Sequence, residues 1–258
     1  YINENRETFI SELKDFLRIP SISTLPENKK NINECADFVM GKLKQAGMSR
    51  VEIFQTEGHP IVYGEWLGAP GKPTILVYGH YDVQPVDPIE LWESEPFNPQ
   101  VRDGYLYGRG ASDMKGQVIA SFKAIEAMLS QGKLPVNIKY LVEGEEEIGS
   151  PNLKDFLKSH VDLLKCDIAF NPDSGMISPQ DPTIVYSLRG LAYFEMKVYG
   201  PSQDLHSGVF GGVVHNPAQA LCELIAGMHD SQNRITLPGF YDQVLNLSDE
   251  EREQLSRL

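Results

Sequence analysis

Long apolar runs and cysteines are both scarce in this sequence, and each scarcity excludes a class of protein. No apolar run approaches the roughly 18 residues that a membrane-spanning helix needs, so no membrane partner is expected. The three cysteines, Cys35, Cys166 and Cys222, lie far apart and form no CxxC pair. We therefore expect reduced thiols, a pattern that fits a cytoplasmic protein. The polar N-terminal stretch does not resemble a signal peptide.

Positive charge is also scarce. Lysine and arginine total 23 against 36 aspartates and glutamates, which gives a formal net charge of −13. Such a chain would be repelled by the phosphates of nucleic acids and by anionic lipid headgroups, so neither is expected as a partner. An acidic excess is ordinarily a solvated surface, but some of these acids could instead bind metal. Their positions along the chain decide between the two.

Short apolar runs alternate with helical stretches through the middle of the chain. Three runs predict strands, at residues 74–78, 136–142 and 168–170, and the first has the pattern of a buried strand. Helical patterns separate these runs, and two further helices are predicted before them, the second ending at Gly47. This alternation predicts an α/β fold in which helices flank a mixed, mostly parallel sheet.

The character of the sequence changes near Ser187. Residues 191–199 alternate in polarity like a half-exposed strand, and residues 217–228 have an amphipathic helical pattern. We therefore predict a first domain over residues 1–186 and the start of a second over residues 187–258. A capped helical pattern begins just before the sequence ends, so we expect the native chain to be longer.

Acids and a histidine follow the three predicted strands at the points where the strands end. His80 and Asp82 follow the first strand, the acidic run 143–147 follows the second, and Asp173 follows the third. The functional crevice of an α/β sheet lies beyond the carboxyl ends of its strands, so these side chains are expected to meet. Asp113, in a glycine-rich turn before a helix, adds a further carboxylate.

An imidazole with several carboxylates and no nearby thiolate is the ligand set of a hydrolytic zinc or similar divalent site. Each residue alone has an ordinary structural explanation, such as a helix cap for Asp113. Together, however, the acids would repel one another without a cation. A dinucleotide-binding fingerprint at residues 108–113 is rejected, because Asp113 occupies the place of its third glycine.

Several sequence motifs make this interpretation more specific. They are GHYDVQP (79–85), LWESEPF (91–97), RDGYLYGRGASDMKG (102–116), EGEEEIGS (143–150) and DLHSG (204–208). Together they closely resemble the carnosinase, aminoacylase and glutamate carboxypeptidase family of two-zinc metallopeptidases. The resemblance covers nearly the whole chain. It implies that residues 1–186 form an incomplete zinc-peptidase catalytic domain and residues 187–258 the start of an α+β lid and dimerisation domain.

The resemblance implies a ligand set for two divalent metal ions, expected to be Zn²⁺, with Mn²⁺ or Co²⁺ as alternatives. Asp113 stands at the position of the carboxylate that bridges the two ions. His80 and Asp173 match the other ligands of the first ion, and Glu147 matches a ligand of the second. Independently, a carboxylate shared by two cations is a known way to acidify a water for hydrolysis. The family's remaining histidine ligand and its substrate-binding arginine are expected beyond the end of this sequence.

The resemblance also implies catalytic roles. Glu146 matches the general base, with Glu145 an alternative by sequence position. Asp82 matches the carboxylate that holds the His80 ring. His206 matches a histidine that reaches from the lid into the partner's active site in family homodimers, where it would stabilise an oxyanion. The family further implies a cis peptide bond between Asp113 and Met114.

The choice among activities depends on Asp173 and on the segment 84–97. The dipeptidase branch of the family resembles this chain in two ways: it has an aspartate at the position of Asp173, and it has a long segment corresponding to residues 84–97. We therefore expect a small peptide substrate. One alternative is an N-acyl amino-acid deacylase that uses the same site. Another, from a different class, is a non-catalytic metal-binding module, which the presence of both Glu146 and Glu147 disfavours.

Overall fold

The computed structural model describes residues 1–257, and the chain divides between Met176 and Ile177 into two compact units. The predicted domain boundary between residues 186 and 187 remains a prediction. Within the described residues, no helix is both long and apolar enough to cross a membrane. All three cysteines are free thiols.

Among residues 1–257, the seven strands all belong to the first unit. They are β1 (Arg50–Phe54), β2 (Ile61–Trp66), β3 (Thr74–His80), β4 (Gln100–Arg102), β5 (Tyr105–Tyr107), β6 (Asn137–Glu143) and β7 (Ile168–Phe170). Strands β4 and β5 form a separate hairpin, and the other five form one sheet in the order β1-β2-β6-β3-β7. The three strands predicted from apolar runs correspond to β3, β6 and β7.

The main sheet is mixed, with β6, β3 and β7 parallel to one another and β1 and β2 antiparallel to their neighbours. Parallel and antiparallel pairings are therefore equally represented, whereas the sequence predicts a mostly parallel sheet. The predicted fold class, a mixed sheet flanked by helices, is confirmed.

Helices cover both faces of the sheet. They are α1 (Arg6–Leu17), α2 (Lys29–Gln45), α3 (Lys115–Ser130), α4 (Leu153–Ser159) and α5 (Val161–Leu164). Successive side chains of β6 alternate between the two faces: Tyr140 packs in the larger core with the first three helices, and Leu141 in the smaller one with the last two. Gly47 follows α2 with φ of +93°, the left-handed geometry that glycine adopts without strain, which agrees with its predicted role as a helix stop.

Aromatic packing holds α3 against the main sheet. The ring of Phe122 meets that of Tyr140 edge to face, with centroids 4.9 Å apart, and both side chains are buried. Burying a side chain of this size stabilises the fold by about 1.5–3 kcal/mol. The helix that follows Asp113 is therefore firmly seated on β6.

The second unit, from Ile177 onward, contains only short helices among its described residues. They are α6 (Ser207–Phe210), α7 (Pro217–Ala226) and α8 (Asp249–Leu255), and side chains of His206, Asn216 and Ser248 cap them. The predicted helix over residues 217–228 is confirmed in large part. The predicted strand at residues 191–199 is wrong: those residues form no strand, because an extended segment needs a hydrogen-bonded neighbour and residues 177–257 supply none. The α+β character expected of a lid domain is thus not shown.

Candidate metal centre

The site lies where the parallel strands of the main sheet end. Strands β6, β3 and β7 run in the same direction, and His80, the last residue of β3, is in register with Glu143, the last of β6. Asp173 follows β7 after a short turn in which its backbone N–H donates to the side chain of Asn171. Parallel pairing therefore brings the residues predicted from three strand ends to one edge of the sheet.

The imidazole of His80 is fully buried and faces a group of carboxylates. Its Nε2 lies 3.1 Å from Oδ1 of Asp113 and 3.5 Å from Oδ2 of Asp173. An oxygen of Glu146 lies 3.9 Å from the same nitrogen. One ring nitrogen is thus surrounded by oxygen atoms from three separate loops.

Asp82 holds the other side of the His80 ring and, at the same time, the acidic loop. Nδ1 of His80 lies 3.0 Å from the backbone oxygen of Asp82 and 3.4 Å from its Oδ1. The Asp82 carboxylate also accepts hydrogen bonds from the backbone N–H groups of Glu146, at 3.2 Å, and Glu147, at 3.1 Å. In the neutral imidazole, a proton on Nδ1 directed at Asp82 would leave the Nε2 lone pair facing the acids, the tautomer that a metal ligand requires.

Three of the predicted ligands form a compact group. One donor atom each from His80, Asp113 and Glu147 lies within 4.8 Å of the others. Asp173 lies outside this triad but shares the Nε2 contact described above. An imidazole with carboxylates and no thiolate fits Zn²⁺ or a similar divalent ion in donor chemistry.

The pKa shifts of the clustered residues also fit a bound divalent ion. Burial raises the pKa of Glu146, Glu147 and Asp173, and neighbouring carboxylates raise each pKa further. Burial would lower the pKa of His80, but its hydrogen bond to Asp82 and the surrounding acids outweigh this and raise that pKa to about 9. A divalent cation among these groups would favour the charged carboxylates and the neutral imidazole, so the residues present fit such an ion.

Two acids of the run 143–147 are buried and accept hydrogen bonds from neighbouring residues. Glu145 is only 4% exposed, and its carboxylate accepts from the side-chain amide of Asn152 at 2.9 Å and from the backbone N–H of His59 at 3.0 Å. Glu143, 1% exposed, accepts from the hydroxyls of Tyr78 and Ser150. The Glu145 carboxylate is therefore turned into the fold and held by hydrogen bonds, whereas that of Glu146 faces the His80 ring.

The turn that carries Asp113 has the backbone geometry that the family resemblance implies. The peptide bond between Asp113 and Met114 is cis, and Met114 is completely buried. The side-chain amide of Gln117, on the first turn of α3, donates to the backbone oxygens of Ser112, at 2.5 Å, and Ser174, at 3.5 Å. The loops that carry Asp113 and Asp173 are thus tied together by one neutral amide.

His206 belongs to the second unit, whereas the other predicted site residues converge in the first. It caps the short helix α6, and its Nδ1 accepts from the backbone N–H of Gly208 at 3.1 Å. Its predicted catalytic role therefore stays a prediction.

The sequence interpretation missed one residue at the edge of the cluster. The side-chain amide of Gln84 donates to Oε2 of Glu147 at 2.8 Å and to the backbone oxygen of Glu147 at 3.2 Å. The available signal was spacing, because Gln84 follows Asp82 by two residues in an extended segment and such residues project to the same side.

Comparison with known proteins gives concordant results. The model of peptidase family M20/M25/M40 matches residues 76–238, a span that includes the whole acid cluster. The chain is 36% identical to the Cys-Gly metallodipeptidase dug1 of Schizosaccharomyces pombe, an alignment that covers 96% of this chain and 55% of that protein. It is 34% identical to the Beta-Ala-His dipeptidase of Homo sapiens, with 97% and 52% covered.

A solved structure shares the fold. The dipeptidase Dug1p from Saccharomyces cerevisiae superposes with a TM-score of 0.74 at 28% identity, covering 100% of this chain and 57% of that chain. This chain therefore spans about half the length of the relatives it matches.

Proposed function

The chain belongs to the M20/M25/M40 family of peptidases, and from this membership we propose that the complete protein is a metal-dependent dipeptidase. The observation that carries the proposal is the convergence of His80, Asp113 and Glu147, whose donor atoms lie within 4.8 Å of one another at the end of a parallel sheet. A set of this kind, placed beside an additional acid, provides the groups that metal-assisted amide hydrolysis uses.

Two divalent ions are proposed, with Zn²⁺ as the first choice and Mn²⁺ or Co²⁺ as alternatives. His80, Asp113 and Asp173 would hold the first ion, and Glu147 would hold the second with Asp113 shared between them. When bound, such ions polarise a scissile carbonyl and lower the pKa of a water. The mutual proximity of Asp113, Asp173 and the His80 ring supports the first assignment.

The remaining side chains supply proton transfer and orientation. We propose that Glu146 accepts the proton of the attacking water and passes it to the leaving amine. Its carboxylate is partly exposed and lies 3.9 Å from Nε2 of His80, within the cluster but outside the compact triad. Asp82 would keep the His80 ring in one orientation. By family resemblance alone, His206 would stabilise the developing oxyanion.

Substrate and assembly are proposals that rest on the relatives. Two of them carry the names Cys-Gly and Beta-Ala-His dipeptidase, and the aspartate at residue 173 agrees with that branch, so a dipeptide is the proposed substrate. The division into a catalytic domain at residues 1–186 and a lid at residues 187–258, a homodimer formed through the lid, and a cytoplasmic location are likewise proposed.

The test is turnover by the full-length protein. Zinc-loaded enzyme should release free amino acids from a panel that includes Cys-Gly and β-Ala-His, and the rate should fall at least 100-fold after the metal is removed by a chelator and return when Zn²⁺ is added back. N-acyl amino acids in the same panel distinguish a deacylase. Metal binding without turnover of any substrate would instead favour a non-catalytic module and contradict the proposal.

A further inference from the structure

Gln84 contacts a proposed metal ligand at two points. Its amide nitrogen donates to the carboxylate of Glu147 at 2.8 Å and to the backbone oxygen of the same residue at 3.2 Å. The first contact fixes the rotation of the carboxylate, and the second fixes the loop that carries it. No other side chain among residues 1–257 donates a hydrogen bond to the Glu147 carboxylate.

The backbone around Gln84 is held on both sides. The N–H of Val83 donates to the backbone oxygen of Ser21 at 2.9 Å, and Val83 is buried. The backbone oxygen of Pro85 accepts from the guanidinium of Arg109 at 2.6 Å. A proline also restricts the residue before it to extended geometry. The backbone of Gln84 is therefore held in place, although its side chain is exposed.

The donors around the site are neutral. Asn152 holds the loop through Glu145, Gln117 joins the turns of Asp113 and Asp173, and Gln84 holds Glu147. Within the described part of the chain, the only side chain that forms ion pairs with the proposed ligand acids and Glu146 is His80. A lysine or arginine there would neutralise the carboxylates and repel a divalent ion, whereas an amide orients an oxygen without adding charge.

We propose that Gln84 is a positioning residue that presents the Glu147 carboxylate to the second cation. One Glu147 oxygen accepts the Gln84 amide, which leaves the other free to bind metal in a defined direction. This inference rests on the proposed function, because it requires Glu147 to be a metal ligand. Partners of ligands in this position typically change metal affinity by about 10- to 100-fold when removed.

The experiment compares three variants of the full-length protein. Gln84→Met keeps the length of the side chain and removes the donor, and Gln84→Lys keeps a donor and adds a positive charge. Gln45→Met is the matched control, because Gln45 is also exposed and donates to a carboxylate, Oε1 of Glu12, at 2.9 Å outside the site. Zinc affinity is measured by competition with a chromophoric chelator, and the melting temperature is measured on metal-free protein.

We expect Gln84→Met to weaken one of two zinc sites by about 10- to 100-fold and Gln84→Lys to weaken it further. The metal-free melting temperature of Gln84→Met should shift no more than that of Gln45→Met. Wild-type affinity for both ions in Gln84→Met or Gln84→Lys overturns the inference, and so does a loss of affinity matched by a fall in metal-free melting temperature. If wild-type protein binds none of Zn²⁺, Mn²⁺ and Co²⁺, or if Glu147→Ala binds two ions as tightly as wild type does, the proposed function fails as well.

Discussion

Replacing Asp82 with asparagine tests how one buried carboxylate supports both His80, the proposed ligand, and the acidic loop. The carboxylate accepts from the backbone N–H of Glu146 through Oδ1 and from that of Glu147 through Oδ2. An asparagine of the same shape has only one accepting oxygen. Whichever way its amide is oriented, its NH₂ group faces one of these N–H donors, and that donor loses its acceptor.

The expected size of the effect follows from these contacts. A hydrogen bond to a charged acceptor contributes about 1.5–3 kcal/mol, so Asp82→Asn should lower the free energy of unfolding of the metal-free protein by about that amount. His80 retains a second partner, because its Nδ1 lies 3.0 Å from the backbone oxygen of Asp82. The ring should therefore keep its tautomer, and zinc affinity should fall by about 10-fold, the lower end of the usual range.

Urea unfolding of metal-free protein measures the first effect and chelator competition measures the second. Asp155→Asn is the control, since Asp155 is an exposed aspartate whose ion pair with Lys158, at 3.2 Å, contributes about 1 kcal/mol or less. Equal unfolding midpoints for Asp82→Asn and Asp155→Asn, with unchanged zinc affinity, would refute the bridging role of Asp82.

Other substitutions separate the roles within the cluster and the stability outside it. Glu146→Ala should reduce turnover by at least 100-fold while elemental analysis still finds the wild-type zinc content, and normal turnover would show that the proton acceptor is elsewhere. Glu147→Ala should lose about one zinc ion per chain, and retention of both ions would remove it from the ligand set. Burial raises the pKa of Glu12, but hydrogen bonds from Lys123, Gln45 and Lys42 outweigh the effect of burial and lower that pKa. The ionised Glu12 therefore stabilises the fold above its unfolded pKa of about 4.3, and this stabilisation is lost as the pH falls through its lower folded pKa. Glu12→Gln should therefore unfold more easily than wild type at pH 7, and the difference should shrink at pH 3; a difference independent of pH would contradict this assignment.

The parts of the fold that follow a local pattern could be predicted from the sequence. The strand at residues 168–170 and the helix stop at Gly47 follow from short apolar runs and from glycine geometry, and both are present. Strands β1 and β2 were not predicted, because charged residues and Gly64 interrupt their apolar pattern. Their identity as strands depends on pairing with each other and with β6.

The segment 191–199 shows the converse limit. Its alternating polarity is compatible with a strand, but such a pattern specifies only which face could be buried. Leu191 and Tyr193 are 76% and 89% exposed, so no apolar surface covers that face among the described residues of the second unit. Alternation without a hydrogen-bonded neighbour does not make a strand.

Within the site, residue type and strand position were enough to predict which residues lie close together. They were not enough to predict which glutamate of the run 143–147 faces the cluster. Glu145 and Glu146 are adjacent and chemically identical, and only the turn geometry separates them. The first is turned towards Asn152 and the backbone of His59, and the second towards His80. Tertiary contacts of this kind have no local sequence signature.

The same geometry explains how so acidic a loop can be held in place without a lysine or arginine side chain. Glu143 and Glu145 are buried, and each accepts hydrogen bonds from neutral groups, which offsets the cost of removing a carboxylate from water. Glu146 and Glu147 receive backbone support through Asp82 instead, so their own carboxylates remain directed at the cluster. The repulsion that remains is concentrated where a divalent ion would neutralise it, and part of the −13 net charge is therefore organised around the candidate metal centre.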